Sequence, residues 1–292
     1  MRRLAALVFA LPLLLLGQLP AHAAEPPTAW LDGLPDDTLV TAGQPITLHG
    51  HSAGVPGDGV KYTELADGDP NHYLVIAGAG QTDWTYTLTP NDWQVGPLTI
   101  WGRVVLDSFR TVALPLAHIR VGYPRTDPVT CPCSYLPASK SSGVYDEHHP
   151  MELGLKFFVD RPSTITGITY YGAAPSTGGT VGHLWSTDGT LVATTTSSPD
   201  PFHFTFDTPV ALKPYATYVA AYTTTNGLYA ASPGFFTSDV PRTSGPITAI
   251  GNPYAYGYGE GPGVYGNGGQ YPRATYNVTS YEVTPIVVPT GG

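Results

Sequence analysis

Glycine and proline interrupt this chain so often that no long helix fits between them. The 292 residues include 34 Gly and 30 Pro, more than a fifth of the chain against an ordinary share of roughly 12%. Proline removes a backbone donor and fixes φ, and glycine weakens a helix interior, so a coiled coil or helix bundle is excluded. The stretches between these breakers are short and alternate with period two. In Trp84-Thr85-Tyr86-Thr87-Leu88 the two aromatics and Leu88 share one face and the threonines the other. Ile46-Thr47-Leu48 and residues 98–106 read the same way. Apolar residues make up 42% of the chain, enough for a packed core. The expectation is an all-β protein.

Punctuation by turns divides it further. Residues 24–122 hold roughly seven short strands separated by clusters such as Val55-Pro56-Gly57-Asp58-Gly59, the spacing of an Ig-like β-sandwich. Residues 123–143 form a proline-rich linker with Pro124, Pro128, Pro132 and Pro137, expected to be extended and stiff. Residues 144–292 form a second sandwich, expected to be jelly-roll-like, with strands at 152–159, 164–171, 180–185, 191–196, 202–206, 217–223 and 275–288. Asp188-Gly189 and Asn226-Gly227 read as hairpin turns, because both pairs tolerate positive φ.

Residues 1–23 read as a signal peptide. Arg2-Arg3 supplies the positive start, residues 4–16 the apolar run and Ala21-His22-Ala23 the small-x-small cleavage site. Twin-arginine export is the alternative, though the flanking residues do not support it. No other segment is apolar and long enough to span a bilayer. The protein is therefore expected to be secreted. Its formal net charge is −9, so it has no basic field to neutralise phosphates and no nucleic-acid partner is expected. The two cysteines, Cys131 and Cys133, flank one proline. In an oxidising compartment they are expected to pair as a structural disulfide, with a redox dithiol or half a metal site as alternatives.

The second block carries a family pattern. Cys131-Pro132-Cys133-Ser134, Glu152-Leu153-Gly154-Leu155-Lys156-Phe157 and the run from Gly182-His183-Leu184-Trp185 through Asp188-Gly189-Thr190-Leu191 occur in that order. Thr217-Tyr218-Val219-Ala220-Ala221-Tyr222, Asn226-Gly227-Leu228-Tyr229-Ala230 and Gly263-Val264-Tyr265-Gly266 follow. Together they resemble the bacterial domain-of-unknown-function family 4082 over about half the chain. The resemblance implies a secreted β-sandwich accessory module, often preceded by an Ig-like module and attached to surface or polysaccharide-associated proteins. It transfers no catalytic residue. Asp83-Trp84-Thr85-Tyr86-Thr87 and Arg103-Val104-Val105-Leu106-Asp107-Ser108 resemble the preceding Ig-like module. The stretch 254–258 is richer in tyrosine than the family pattern.

That stretch is the most unusual in the chain. Between positions 251 and 265, glycine alternates with Tyr254, Tyr256, Tyr258 and Tyr265, with Glu260 among them, and Tyr271 follows. So Gly-rich a segment is expected to be a long loop rather than a strand. Tyrosine presents a flat apolar face and a hydroxyl at low entropic cost, and sugar C–H faces stack on such rings. Tyr254, Tyr256, Tyr258, Glu260, Tyr265 and Tyr271, with Asn226 and Tyr229 from the nearby turn, form the expected ligand site. The alternative is a lid whose tyrosines are internal filler. One of Phe235 and Phe236 is expected in the core.

Metal and enzyme signals are weak. His49 and His51 share a strand face without a third ligand, and Glu147-His148-His149 places neighbours on opposite sides of an extended chain. Asp67-x-Asp69-x-Asn71 starts like a calcium loop but has Gly78 at its twelfth position, so the EF-hand reading fails. No cofactor is expected, and a structural calcium in the second sandwich is an alternative with no ligand set to name. No nucleophile elbow, zinc-helix or phosphate-loop pattern occurs. The expected function is non-catalytic binding of polysaccharide or cell-surface glycan. The alternatives are a module for protein–protein adhesion or surface assembly, with other surface proteins as partners, and a polysaccharide hydrolase.

Overall fold

The structure, a computed structural model, describes residues 26–69, 71–123, 125, 128–135, 143–171, 181–195, 202–236, 243–250 and 261–290. Among them there is no α-helix, and no helix long and apolar enough to cross a membrane. The signal-peptide reading of residues 1–23 lies outside the described residues.

The first unit has eight strands rather than about seven: β1 (Thr28–Asp32), β2 (Leu39–Thr41), β3 (Ile46–Ala53), β4 (Val60–Asp67), β5 (Leu74–Ala77), β6 (Asp83–Leu88), β7 (Gly96–Leu106) and β8 (Thr111–Gly122). They form an Ig-like sandwich of one sheet ordered β1-β3-β6 and another ordered β2-β8-β7-β4-β5. Alternation puts Leu48, Trp84 and Leu88 inside from the first sheet, and Leu65, Leu98, Ile100 and Ile119 inside from the second. No Cys pair spans this core. A buried polar row ties the sheets instead: Ser52 Oγ accepts both Trp84 Nε1 at 2.9 Å and Thr63 Oγ1 at 2.8 Å. Gly50 is required beneath the Trp84 ring, because a Cβ there would lie 2.3 Å from it.

The second unit contains β9 (Gly143–Asp146), β10 (Met151–Val159), β11 (Ser163–Tyr170), β12 (Val181–Ser186), β13 (Leu191–Thr194), β14 (His203–Leu212) and β15 (Tyr218–Thr224). It continues with β16 (Leu228–Ala231), β17 (Thr243–Ser244), β18 (Ile247–Ala249), β19 (Gly263–Asn267) and β20 (Val283–Pro289). A seven-stranded sheet runs β13-β12-β15-β10-β18-β17, with β19 also paired to β10. A three-stranded sheet, β14-β11-β20, packs against it over one core that includes Leu153, Phe157, Ile165, Ile168, Leu184, Phe204 and Val287. The short pair β16-β9 stands apart from both sheets.

Three expectations are corrected here. Part of the Gly/Tyr-rich stretch is a strand, since β19 pairs with β10 from Gly263↔Leu155 to Asn267↔Met151. Glycine is needed because β19 runs under another segment: a Cβ on Gly263 would sit 1.9 Å from the carbonyl oxygen of Thr279. The strand expected over 275–288 is regular only as β20, because Asn277, Val278 and Glu282 take φ of 42°, 41° and 55° and turn the chain. Asn226-Gly227 is not a hairpin turn. It joins β15 to β16, which pairs with β9, and Gly227 accepts from the Glu147 amide at 3.1 Å. Asp188-Gly189 does close the hairpin between β12 and β13.

Cys131 and Cys133 are joined in a disulfide. Cys133 exchanges two backbone hydrogen bonds with Val287, and Tyr135 enters the second core. The two units meet around Tyr215. Its hydroxyl donates to the Tyr123 carbonyl at 2.7 Å and accepts from the Tyr123 amide at 3.0 Å. Arg120 and Lys213 converge on Asp37 from the two sides of this contact.

Candidate functional site

A cavity of about 700 Å³ opens between β9, β16, β19 and the 274–281 segment. That size lies within the range of ligand clefts, roughly 300–1,000 Å³. Each wall has a local cause. On β9 and the turn after it, the period-two rule aims Tyr145, Glu147 and His149 the same way, while His148, at φ 57°, turns to Asp146. On β16, Tyr229 and Ala231 face inward by the same rule, and on β19 Tyr265 does. Met151, the first residue of β10, adds apolar surface.

The last wall depends on glycine. Gly261 and Gly263 present no side chain, so the 276–279 turn lies directly on them. That turn carries consecutive left-handed residues, Asn277 and Val278, and Val278 is β-branched, a rarely populated conformation. It is held by Gly234 donating to the Asn277 carbonyl at 2.8 Å and Phe236 donating to the Val278 carbonyl at 3.0 Å. The result points Tyr276, Thr279 and Tyr281 into the cavity.

Five tyrosines thus line one space, and four of them are in ring contact. Tyr145 stacks on Tyr229 with centroids 5.7 Å apart, Tyr229 meets Tyr281 at 5.9 Å, and Tyr281 meets Tyr265 at 6.0 Å. Tyr276 at 60% exposure and Tyr145 at 38% form the open rim, whereas Tyr281 is buried. The Tyr229 phenol donates to Glu147 Oε1 at 3.0 Å. Burial first, then this bond to a carboxylate, hold the Tyr229 phenol well above its ordinary range; burial does the same to Tyr281. Both therefore remain neutral hydroxyls at physiological pH. Thr279 Oγ1 is buried and has no hydrogen-bond partner. A buried hydroxyl left unpaired costs about 1–3 kcal/mol, and a polar ligand atom would relieve that cost.

The sequence-derived site divides. Tyr229 and Tyr265 line the cavity. Tyr271 lies elsewhere: it packs edge-on against Trp185 at 6.0 Å and donates to the Thr187 carbonyl at 3.2 Å. Asn226 staples its own turn, accepting from the Leu228 amide at 3.1 Å. Tyr254, Tyr256, Tyr258 and Glu260 lie outside the described residues. Tyr145, Tyr276, Thr279 and Tyr281 went unrecognised, and Glu147 and His149 were read only as part of a weak metal pattern. The alternating Tyr145-x-Glu147-x-His149 was the available signal. Phe236 is in the core, and Phe235 packs against it.

Beside the cavity stands a buried anchor. Glu152, fully buried on β10, accepts from Thr223 Oγ1 at 2.5 Å, His183 Nδ1 at 2.7 Å, the Gly269 amide at 3.1 Å and Trp185 Nε1 at 3.3 Å. Its bond to Gly269 fixes the turn after Asn267, which lines the cavity. In the first unit, His51 is held between Asp32 and Asp83, each at 2.5 Å, and stacks on Trp30. Among the described residues no cluster of three or more His, Cys, Asp or Glu is arranged to hold a metal ion.

A family model described as a domain of unknown function, DUF4082, matches residues 137–283. No curated protein matches the chain. Among solved structures it is similar to the fibronectin(III)-like modules of Clostridium thermocellum CbhA. The identity is 19% and the TM-score 0.26, covering 32% of this chain and 94% of that one. An engineered protein gives 16% identity and a TM-score of 0.25, covering 33% of this chain and 20% of that one. Likenesses this slight carry no functional argument.

Proposed function

We propose, from the premise that this chain belongs to the DUF4082 family, that it is a secreted, non-catalytic module that binds polysaccharide or cell-surface glycan in the tyrosine-walled cavity. The observation that carries this reading is the union, in one cleft of about 700 Å³, of five tyrosines with Glu147, His149, Asn267 and the unpartnered Thr279 hydroxyl. Aromatic faces suit the C–H surfaces of sugar rings, and the polar atoms between them suit ring hydroxyls. Binding is favoured over hydrolysis because the described lining offers one carboxylate, Glu147, where glycosidic cleavage uses two. The Ig-like unit acts as a spacer docked through Tyr215.

A pull-down of the mature chain on insoluble polysaccharides tests this. Replacing the rim residues Tyr145 and Tyr276 with Ala is expected to release the protein from the matrix. Retention by that double variant, together with release by a variant lacking Tyr254, Tyr256 and Tyr258, transfers the site to the 254–258 stretch. Retention by both ends the aromatic-binding reading.

A second reading, protein–protein adhesion, has one observation in its favour. The edge strand β5 exposes Leu74 and Val75, at 59% and 61%. An open apolar edge is a template for an added strand. Placing lysine at both positions should abolish partner capture if adhesion is the function, and leave glycan retention intact if it is not.

A further inference from the structure

We propose that the cavity selects an amino sugar, a glycan bearing a free, protonated amine. This rests on the glycan reading and narrows it to a ligand class. No lysine or arginine is among the described lining residues. The groups that remain attract positive charge. Glu147 uses Oε1 for the Tyr229 phenol, and no described residue occupies its Oε2. His149 Nδ1 lies 3.1 Å from the Pro150 carbonyl oxygen. A carbonyl only accepts, so Nδ1 carries the proton and, in the neutral ring, Nε2 is an acceptor.

The tyrosine walls act in the same direction. A ring face is the negative end of its quadrupole and holds an ammonium by cation–π attraction, more strongly where water is excluded. Glu147 and His149 stand two residues apart at the rim beside the Tyr145–Tyr229 stack. An ammonium placed there meets a carboxylate oxygen, a ring nitrogen and an aromatic face. Deeper in, the buried Thr279 hydroxyl is left for a sugar hydroxyl. A uronic acid or sulfated sugar would meet like charge at Glu147 and find no lysine or arginine in the described lining. An N-acetylated sugar would lose the ionic contact.

Calorimetric titration of the mature chain with three soluble oligomers of equal length tests this: a β-1,4-linked glucosamine oligomer, its fully N-acetylated form and a β-1,4-linked glucose oligomer. At about pH 7 an amine in the α-amino range of roughly 7.7–8.0 is still mostly protonated, while an ordinary imidazole, near 6.5, is mostly neutral. The glucosamine oligomer should bind at least ~10-fold more tightly than the other two, about 1.4 kcal/mol. That margin should shrink as salt rises from about 0.05 to about 0.5 M. Glu147→Gln keeps the side-chain shape but removes the charge, and should weaken glucosamine binding by roughly 10-fold. Glu147 is exposed, so an unchanged melting temperature should verify that the variant is folded. Equal affinity for the three oligomers overturns the amine assignment and leaves the glycan reading standing, and an amine preference that survives Glu147→Gln overturns the placement of the ammonium at Glu147. Binding of only the uncharged oligomers does the same. No binding of any of them by a cooperatively melting protein overturns both.

Discussion

The Tyr229 phenol donates to Glu147 Oε1 at 3.0 Å, across the junction of β16 with the turn after β9. Tyr229 also stacks on Tyr145 and tilts against Tyr281. One hydroxyl therefore orients the cavity's carboxylate, and one ring joins its rim to its interior. Tyr229→Phe keeps the ring contacts and frees Glu147. It is expected to change stability by less than about 1 kcal/mol, the net value of one partly exposed hydrogen bond. Glycan affinity should fall by about 5-fold, because the carboxylate then samples other rotamers. Denaturant melts and titrations measured side by side check the two numbers.

Thr279 gives effects of opposite sign in the free and bound protein. Its buried hydroxyl has no partner, so Thr279→Val removes an uncompensated polar atom and is expected to leave the free protein unchanged or stabilise it by about 1 kcal/mol. The same change should weaken glycan binding by about 5–10-fold, since a ligand hydroxyl loses its partner. Loss of stability with no change in binding would contradict the placement of that hydroxyl in the site.

Glu152 anchors the turn after β19 through four donors. Glu152→Ala leaves these groups buried without an acceptor and is expected to cost about 3 kcal/mol. Chemical unfolding measures the cost. Amide signals of the 266–269 turn should shift more than those of β4 or β7, which lie in the other unit.

His51 makes the first unit pH-dependent. Hydrogen bonds to Asp83 first, then Asp32, hold its pKa above the ordinary 6.5. The protonated ring is the stabilised form. Its contribution is full below the unfolded value and is lost as pH rises through the folded value. The melting-temperature gap between the wild type and His51→Gln should therefore be widest below about pH 6 and close toward alkaline pH. A gap that widens with pH would reverse the assignment.

The contact between units is testable through Gly122. A Cβ there would lie 2.1 Å from the Tyr215 ring, which is buried and tied at its hydroxyl to Tyr123. Gly122→Ala is expected to cost about 1–3 kcal/mol by overpacking. Small-angle scattering should show a broader distribution of inter-unit distances, while each unit keeps its own melting transition.

Period-two alternation accounts for part of what was legible. It located β3, β6 and β7, whereas β10, β11, β12 and β15 were legible as short apolar runs between turn breakers, β10 and β15 being buried along nearly their whole length. β19 was missed because its glycines, which weaken an isolated strand, are what its neighbours require: Gly263 faces the Thr279 carbonyl and Gly266 faces Pro272. Such close approach is a tertiary fact with no local signature. The site was half legible for the same reason. Tyrosine density drew attention to 254–271, yet the cavity assembles from four separated segments. Its rim at Tyr145, Glu147 and His149 is visible only once β9 is known to be extended.

Tyrosine-ring NMR during titration with a glycan oligomer tests the central claim most directly. Ring signals of Tyr145, Tyr229, Tyr265, Tyr276 and Tyr281 are predicted to shift together and saturate at one common affinity, while those of Tyr62 and Tyr86 in the Ig-like unit stay fixed. Shifts confined to tyrosines outside that set, with the five unmoved at saturating ligand, would contradict the account.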